Sequence, residues 1–314
     1  MKFSIITICF NPGPVVQSAV ESVLCQSYPD VEYIIVDGGS TDGTVELIKQ
    51  IANESEAQIK IISESDKGLY DALNKGVRLA TGDVIGFVHA DDFLAHPDVL
   101  AHVAERFDAP GVEAVYGDLQ YVAGKSGSVE VGESGSQEVR KLRSRESSPL
   151  DCKTAALPHF SVVRHWNSGE YSRKNLKWGW MPPHPTLYLK RDVYDRAMME
   201  NGEYFDTSFT CAADYDFMMR VLGGSRGVGK SGSRGLQHFM TPSTAALCVA
   251  PVYLPEVMVK MRVGGVSNRS LKHILRKSTE DWQAIRRNKI GHIHTLVWKN
   301  LSKLGQFLPR SGEY

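Results

Sequence analysis

The segment FVHADDF, Phe87 to Phe93, places His89, Asp91 and Asp92 at the end of a short apolar run, DVIGFV. Adjacent carboxylates repel each other, and burying them unpaired is costly. Oxygen donors grouped in this way suit a hard divalent cation, Mn2+ or Mg2+, whose charge cancels the repulsion and which keeps positions open for phosphate oxygens. The competing reading is an ordinary surface pair at a helix start, although Asp98 after His96 and Pro97 can fill that capping role. Further along, Asp214 and Asp216 in AADYDF open an apolar helical pattern. They read either as a general base with a neighbour or as solvated first-turn carboxylates favoured by the helix dipole. GSRGVGKS, Gly224 to Ser231, satisfies the phosphate-loop spacing G-x-x-x-x-G-K-[ST], with Lys230 as its cation.

Positioning these groups falls to a chain that alternates strand and helix signals. KFSIITIC, VEYIIVD, QIKIIS and DVIGFV read as strands. Between them, Val16, Ala19, Val20, Val23 and Leu24 recur at helical spacing, as do Val45, Ile48 and Ile51, then Leu69, Ala72, Leu73, Gly76, Val77 and Ala80. Leu100, Val103, Ala104 and Phe107 mark another helix before VEAVYGD. Repeated β-α-β order predicts an α/β fold, a doubly wound, mostly parallel sheet with helices on both faces. Ligands of such sheets bind outside the carboxyl ends of the strands. Asp37, Asp66, Asp91 and Asp92 are therefore expected on one rim.

The motifs VEYIIVDGGSTDGT and SESDKGLYDALNKGVRLATGDVIGFVHADDF, in order over Met1 to Tyr121, resemble the nucleotide-sugar-binding half of family 2 glycosyltransferases of GT-A fold. MPPHPTLYLKRDVYD, FDTSFTCAADYDFMMRV and VYLPEVMVKMRVGGVSN resemble the acceptor-side half, as in bacterial exopolysaccharide, colanic-acid and O-antigen assembly. The resemblance implies inverting transfer of a sugar from a nucleoside-diphosphate donor, with UDP the expected nucleotide, to a hydroxyl of a saccharide or lipid-linked saccharide. It assigns Asp37 and Asp66 to the nucleotide and wraps the base in the loop Thr7, Phe10 and Asn11. Asp91 and Asp92 are left for ribose and metal, with His89 standing where many relatives carry the first aspartate of D-x-D. Asp214 matches the catalytic base, although Ala213 stands where many relatives carry glutamate. Arg262 and Gly264 to Asn268 resemble the segment that closes over the diphosphate, and His184, Trp180 and Asp216 fall on the acceptor side. The chemistry is coherent: cationic groups stabilise the charge growing on the leaving phosphate while a carboxylate takes the acceptor proton. The bland alternatives are that Asp37 only starts the GGSTDG turn, that His184 is a packed loop histidine, and that Trp166, Trp178 and Trp180 are packing residues rather than sugar platforms.

The resulting division is 1–122 for the nucleotide-sugar half, 123–161 for a low-complexity insertion and 162–222 for the acceptor-side half. A second insertion follows at 223–250, then completion of the catalytic half at 251–268 and a basic tail at 269–314. The 314 residues carry a formal net charge of +0 and five cysteines without a C-x-x-C pair. This points to reduced thiols and a cytoplasmic enzyme rather than a disulfide frame. In the tail, Arg and Lys interleave with Ile, Leu and Trp over 269–310. That pattern fits either amphipathic helices resting on anionic lipid at the inner face of the plasma membrane or a basic helical tail packed on the domain. No nucleic-acid-reading motif accompanies it. Two other functions stay open: an NTP-binding module using Lys230, which would need a strand before the motif and a helix after it, and a GT-A binding protein that has lost activity through His89 and Ala213.

Overall fold

The computed structural model describes residues 1–55, 58–124, 160–224, 247–263 and 271–304. Its frame begins with strand β1, Phe3–Cys9, every residue of which is buried. Side chains of a strand alternate between faces, so Phe3, Ile5 and Cys9 enter one apolar cluster while Ile6 and Ile8 enter the other. β2 (Val31–Asp37) and β4 (Val84–Phe87) flank β1 in parallel, and β3 (Ile59–Ser63) extends the sheet beyond β2. Helices α1 (Val16–Leu24), α2 (Thr44–Glu54) and α4 (Val99–Phe107) cover the first face, and α3 (Leu69–Leu79) the second. Burying side chains such as Ile48 and Ile51 stabilises α2 by about 1.5–3 kcal/mol each.

Beyond β4 the sheet becomes mixed. It continues through β8 (Tyr188–Lys190), β6 (Ala114–Gly124), β9 (Val252–Arg262) and β5 (Asp92–Leu94), with β7 (Phe160–Trp166) paired to β6. β8 is antiparallel to both β4 and β6, which joins the donor-side half to the remainder through continuous hydrogen bonding. β6 and β9 run parallel, and their register slips at Gly117 and Asp118, where Leu254 and Val257 become consecutive partners. Helices α5 (Arg191–Ala197) and α6 (Ala213–Gly223) then pack on the α3 face. α7 (Leu271–Asn288) lies against α6, followed by α8 (Ile293–Leu304).

The strands and helices anticipated from the first 121 residues are present, with two differences. β5 was not anticipated, because three residues are too few to show alternation. α3 buries Ala72, Leu73, Gly76 and Val77 of the expected stripe, but Leu69 is half exposed and Tyr70 and Asn74 are buried in addition. The first insertion is narrower than 123–161, since β6 runs to Gly124 and β7 begins at Phe160, and the two pair as far as those residues. The second is narrower too: α6 reaches Gly223, and Val249 is buried with its N–H on Val221 O at 3.0 Å. Residues 125–159 and 225–246, Lys230 included, lie outside the described residues, as do Gly264 to Asn268.

Candidate active site

The carboxyl ends of β1 to β4 bring their following loops to one rim. Phe10 is exposed there, and Asn11, at φ 48°, takes the Thr41 N–H on its side-chain oxygen at 2.8 Å. Gly38 sits between Asp66 and Phe10. A Cβ on it would lie 2.7 Å from Asp66 Oδ2 and 3.3 Å from Phe10 Cδ2. Only glycine fits this tight slot, whose outer wall is the exposed Phe10 ring. Asp66 itself accepts the Gly68 N–H at 2.9 Å.

Asp37 and Thr7 do not face this slot. Asp37 is fully buried, and its carboxylate accepts the backbone N–H groups of Gly39 and Ser40, the hydroxyls of Ser40 and Ser63, and the Cys9 thiol. Burial pushes its pKa up, but the Ser40 and Ser63 hydroxyls lead a set of hydrogen bonds that hold it below the ordinary value. The carboxylate thus builds the turn that carries Gly38 and Gly39. Thr7 is likewise buried, its hydroxyl donating to Val88 O at 2.7 Å, so it fixes the segment leading to His89.

The acidic pair divides. Asp91 is half-buried at the rim, whereas Asp92 opens β5 and turns inward, 1% exposed. Neither Asp92 carboxylate oxygen has a hydrogen-bond partner. The Arg262 guanidinium attracts it, and the Arg262 backbone N–H faces it outside hydrogen-bond geometry. Burial, then repulsion from Asp91, push the Asp92 carboxyl well above its usual range, with Arg262 opposing. Asp92, expected on the rim with the other aspartates, thus lies inward of it. Asp91 is the carboxylate that solvent reaches, with the unsatisfied Asp92 behind it. Two hard oxygen donors, one of them lacking any hydrogen bond, fit a divalent cation.

Arg262, at the end of β9, spans this region. Its guanidinium donates to Asp91 O at 3.0 Å and to the Ser18 hydroxyl at 2.5 Å, and lies over the Phe93 and Phe160 rings at 5.2 and 5.0 Å. The pairing of Asp92 with Met261 fixes it beside the acidic pair.

Across the rim, Asp214 occupies the first turn of α6 and accepts the Tyr70 hydroxyl at 3.1 Å. Tyr70 is the site residue that sequence reasoning missed. The apolar stripe hid it, although its place in DKGLYDAL, just after the Asp66 loop, was a signal. His89 and His184 stand 5.9 Å apart between Asp91 and Asp214, with His184 stacked on Phe87 at 5.4 Å. Burial lowers both imidazoles, that of His184 to about 4, with Asp214 opposing in each case. Both are therefore neutral near pH 7. A small open depression beside Tyr70 is lined by Lys67, Gly68 and Leu69 and, opposite, by Thr207, Phe209 and Thr210.

One acceptor-side expectation is corrected. Asp216 is fully buried and paired with Arg220 Nε at 3.1 Å and Asn288 Nδ2 at 2.8 Å, so it ties α6 to α7. Trp180, half-buried, donates its indole N–H to Ser168 O at 2.8 Å and packs edge-on to Tyr116. Trp166, half-buried, lies under the Arg164 guanidinium. Trp178 is exposed but pairs with Trp298 of α8.

Known proteins resemble this chain in sequence over its first part and in fold over most of its length. A PGL/p-HBAD biosynthesis glycosyltransferase of Mycobacterium bovis (strain BCG / Pasteur 1173P2) is 39% identical over 118 residues, 37% of this chain and 46% of the relative. An uncharacterized glycosyltransferase of Nostoc sp. (strain PCC 7120 / SAG 25.82 / UTEX 2576) is 34% identical over 130 residues, 41% of this chain and 40% of the relative. The chain thus spans less than half the length of these relatives. Among solved structures, S. aureus TarS 1-349 in complex with UDP-GlcNAc superposes with a TM-score of 0.54 at 16% identity, covering 91% of this chain and 65% of that one. The mannosyltransferase PcManGT from Pyrobaculum calidifontis, in complex with GDP-Man and Mn2+, gives 0.55 at 17% identity, covering 98% and 72%. At such identities the likeness establishes the fold, which is GT-A. A family model, Glycosyl transferase family 2, matches residues 4–166, ending short of Asp214 and Arg262. That match takes in more than half of the 314 residues, and the chain belongs to glycosyl transferase family 2.

Proposed function

We propose that the protein is a metal-dependent inverting glycosyltransferase that moves a sugar from a nucleoside diphosphate, with UDP as the first nucleotide to test, to a hydroxyl of a saccharide or lipid-linked saccharide in cell-surface polysaccharide assembly. The observation that carries this is the meeting, on one rim, of a cation-ready acidic pair with Arg262 and, opposite, of a carboxylate held by Tyr70. The exposed ring of Phe10, beside Asp66, offers a stacking face to the base. Asp91 and Asp92 would hold Mn2+ or Mg2+, which supplies charge stabilisation to the leaving diphosphate. Arg262 adds a fixed positive charge on the same side. Asp214 Oδ accepts the proton of the acceptor hydroxyl, and the Tyr70 hydroxyl orients that carboxylate. His89 and His184, being neutral, leave the negative charge of Asp214 undiluted. An acceptor approaches through the depression beside Tyr70, which fits direct displacement at the anomeric carbon, with inversion and no covalent nucleophile on the enzyme.

The membrane reading is supported at α8 rather than across the whole tail. Ile293, Val297, Trp298 and Leu301 are all about half exposed, with Trp178 alongside and Lys174 and Lys177 next to it. No helix of the described residues is long and apolar enough to cross a membrane. Contact therefore means resting on the surface, at the inner face of the plasma membrane, where a lipid-linked acceptor is presented.

Calorimetric titration of UDP with and without Mn2+, on wild type and Asp91→Ala, tests the donor site. Metal-dependent binding in the wild type, lost in the variant, is the expected result. Equal binding with and without metal, or no UDP binding, would remove the assignment. An inactive binding protein would bind UDP yet never release sugar from a UDP-sugar, with or without acceptor.

A further inference from the structure

Away from the rim, three groups of metal-ligating type converge from three elements. His96 follows β5, His102 lies on α4, and Glu256 lies on β9. His96 Nε2 is in short contact with Glu256 Oε1, His102 Nδ1 lies 2.8 Å from Oε2, and the two rings are 5.6 Å apart. One ligand atom from each residue falls within 4.8 Å of the other two. All three side chains are partly exposed, so solvent and ions reach them.

The convergence depends on a bulge. β9 pairs Leu254 with Gly117 and then Val257 with Asp118, leaving Pro255 and Glu256 unmatched by residues of β6. A bulge redirects the side chain it carries, and here it aims Glu256 at both imidazoles. We propose that His96, His102 and Glu256 form a second cation site, distinct from the acidic pair, that takes Zn2+ or a similar borderline divalent ion through two imidazole nitrogens and one carboxylate. Imidazole favours this class of ion over Mg2+, whereas Asp91 and Asp92 offer only hard oxygens. Three protein ligands leave a fourth tetrahedral position for water.

Without metal, the Asp98 N–H meets His96 Nδ1 at 3.2 Å, which keeps the His96 proton on Nε2, against Glu256. A metal on Nε2 would send that proton to Nδ1, giving up the Asp98 contact, and would replace both histidine–Glu256 hydrogen bonds with coordination. The site also sits on a particular ladder. Asp92 pairs with Met261, Leu94 with Val259, and the Ala95 N–H with Met258 O. His96 and Glu256 close the far end of that ladder, while Asp92 and Arg262 occupy its near end, about 13 Å away at ~3.3 Å per residue. A bound ion therefore pins β5, α4 and β9 together behind the donor site.

The test uses untagged full-length protein and Zn2+ alone, in the Asp91→Ala background, so that it does not depend on the donor site. Calorimetry is expected to show one equivalent of Zn2+ bound with a Kd in the micromolar range, together with a rise in Tm. His102→Ala and Glu256→Gln, each checked for native circular dichroism, should weaken that binding at least tenfold and remove the rise. Co2+ added to the protein with His96, His102 and Glu256 all intact should give the visible bands of a four-coordinate site, a readout that does not depend on the stability of those variants. Zn2+ binding unchanged by His102→Ala and Glu256→Gln, or no Zn2+ binding and no Co2+ bands, would overturn the proposal.

Discussion

Tyr70 and Asp214 are 144 positions apart in the chain, yet their side chains meet at 3.1 Å, one from the helix after β3 and the other from the first turn of α6. A hydroxyl donating to a carboxylate holds it in one orientation. Tyr70→Phe keeps the ring and removes the bond. It is expected to lower kcat about 5–10-fold, as loss of ~1 kcal/mol implies. Asp214→Asn should cost 10²–10⁴-fold, roughly the whole general-base contribution. Steady-state rates distinguish the two, and a Tyr70→Phe enzyme with wild-type kcat would remove the positioning role. Stability gives a second residue-scale expectation. His184 titrates near 4 when folded, against about 6.5 unfolded. Between those values the unfolded chain binds more protons, so stability is full above pH 6.5 and falls as pH drops toward 4. His184→Asn should flatten that part of a plot of urea midpoint against pH, with His89 leaving some slope behind. A slope identical to wild type would contradict a buried neutral His184.

At the scale of elements, α6 is fastened to its neighbours by polar groups that the sequence presents as surface charges. Asp216, fully buried, is held by Arg220 and Asn288, and Arg220 reaches back to the Ala197 and Tyr204 carbonyls. Removing one member leaves a charge buried without its partner. Asp216→Ala is expected to destabilise the fold by about 3–5 kcal/mol, and a urea midpoint within error of wild type would refute this. The same helix shows why the sequence was legible in some places and not in others. α1 to α4 were readable because each buries one face against the sheet, which periodicity reports directly, and β1, β2 and β4 because they are short apolar runs bounded by turn residues. The acidic residues of the rim were readable because strand ends dictate where they fall. What periodicity cannot report is which side of a turn a carboxylate takes. Asp37 looks like a ligand contact and is consumed by its own loop, while Asp92 looks like the equal of Asp91 and turns inward. Asp216 and Tyr70 depend on partners far along the chain, Asn288 and Asp214 respectively, and no local pattern encodes such pairings.

Over the whole molecule, the C-terminal helices serve two directions at once. Inward, α7 buries Ala284 and Ile285, and Glu280 accepts the N–H groups of Thr210 and Cys211 at 3.0 and 2.7 Å. The tail of this half of the chain is thus packed on the domain. Outward, α8 leaves Ile293, Val297, Trp298 and Leu301 exposed beside Trp178. Sedimentation with anionic vesicles is expected to carry the wild type down, with Trp298→Ser and Val297→Ser shifting most of it to the supernatant. Equal recovery of the variants in the pellet would exclude this face as the contact. The inward side matters differently. Glu280 holds the two residues that lead into Ala212 and the start of α6, where Asp214 stands. The match to the family model ends at residue 166, so a minimal enzyme cut to that match would lose both Asp214 and the support beneath it. With Asp214 in its proposed role, exchanging acceptor specificity between relatives by swapping segments would require moving α6 and α7 as one cassette, because a transplanted start of α6 arrives without the carboxylate that keeps it in place.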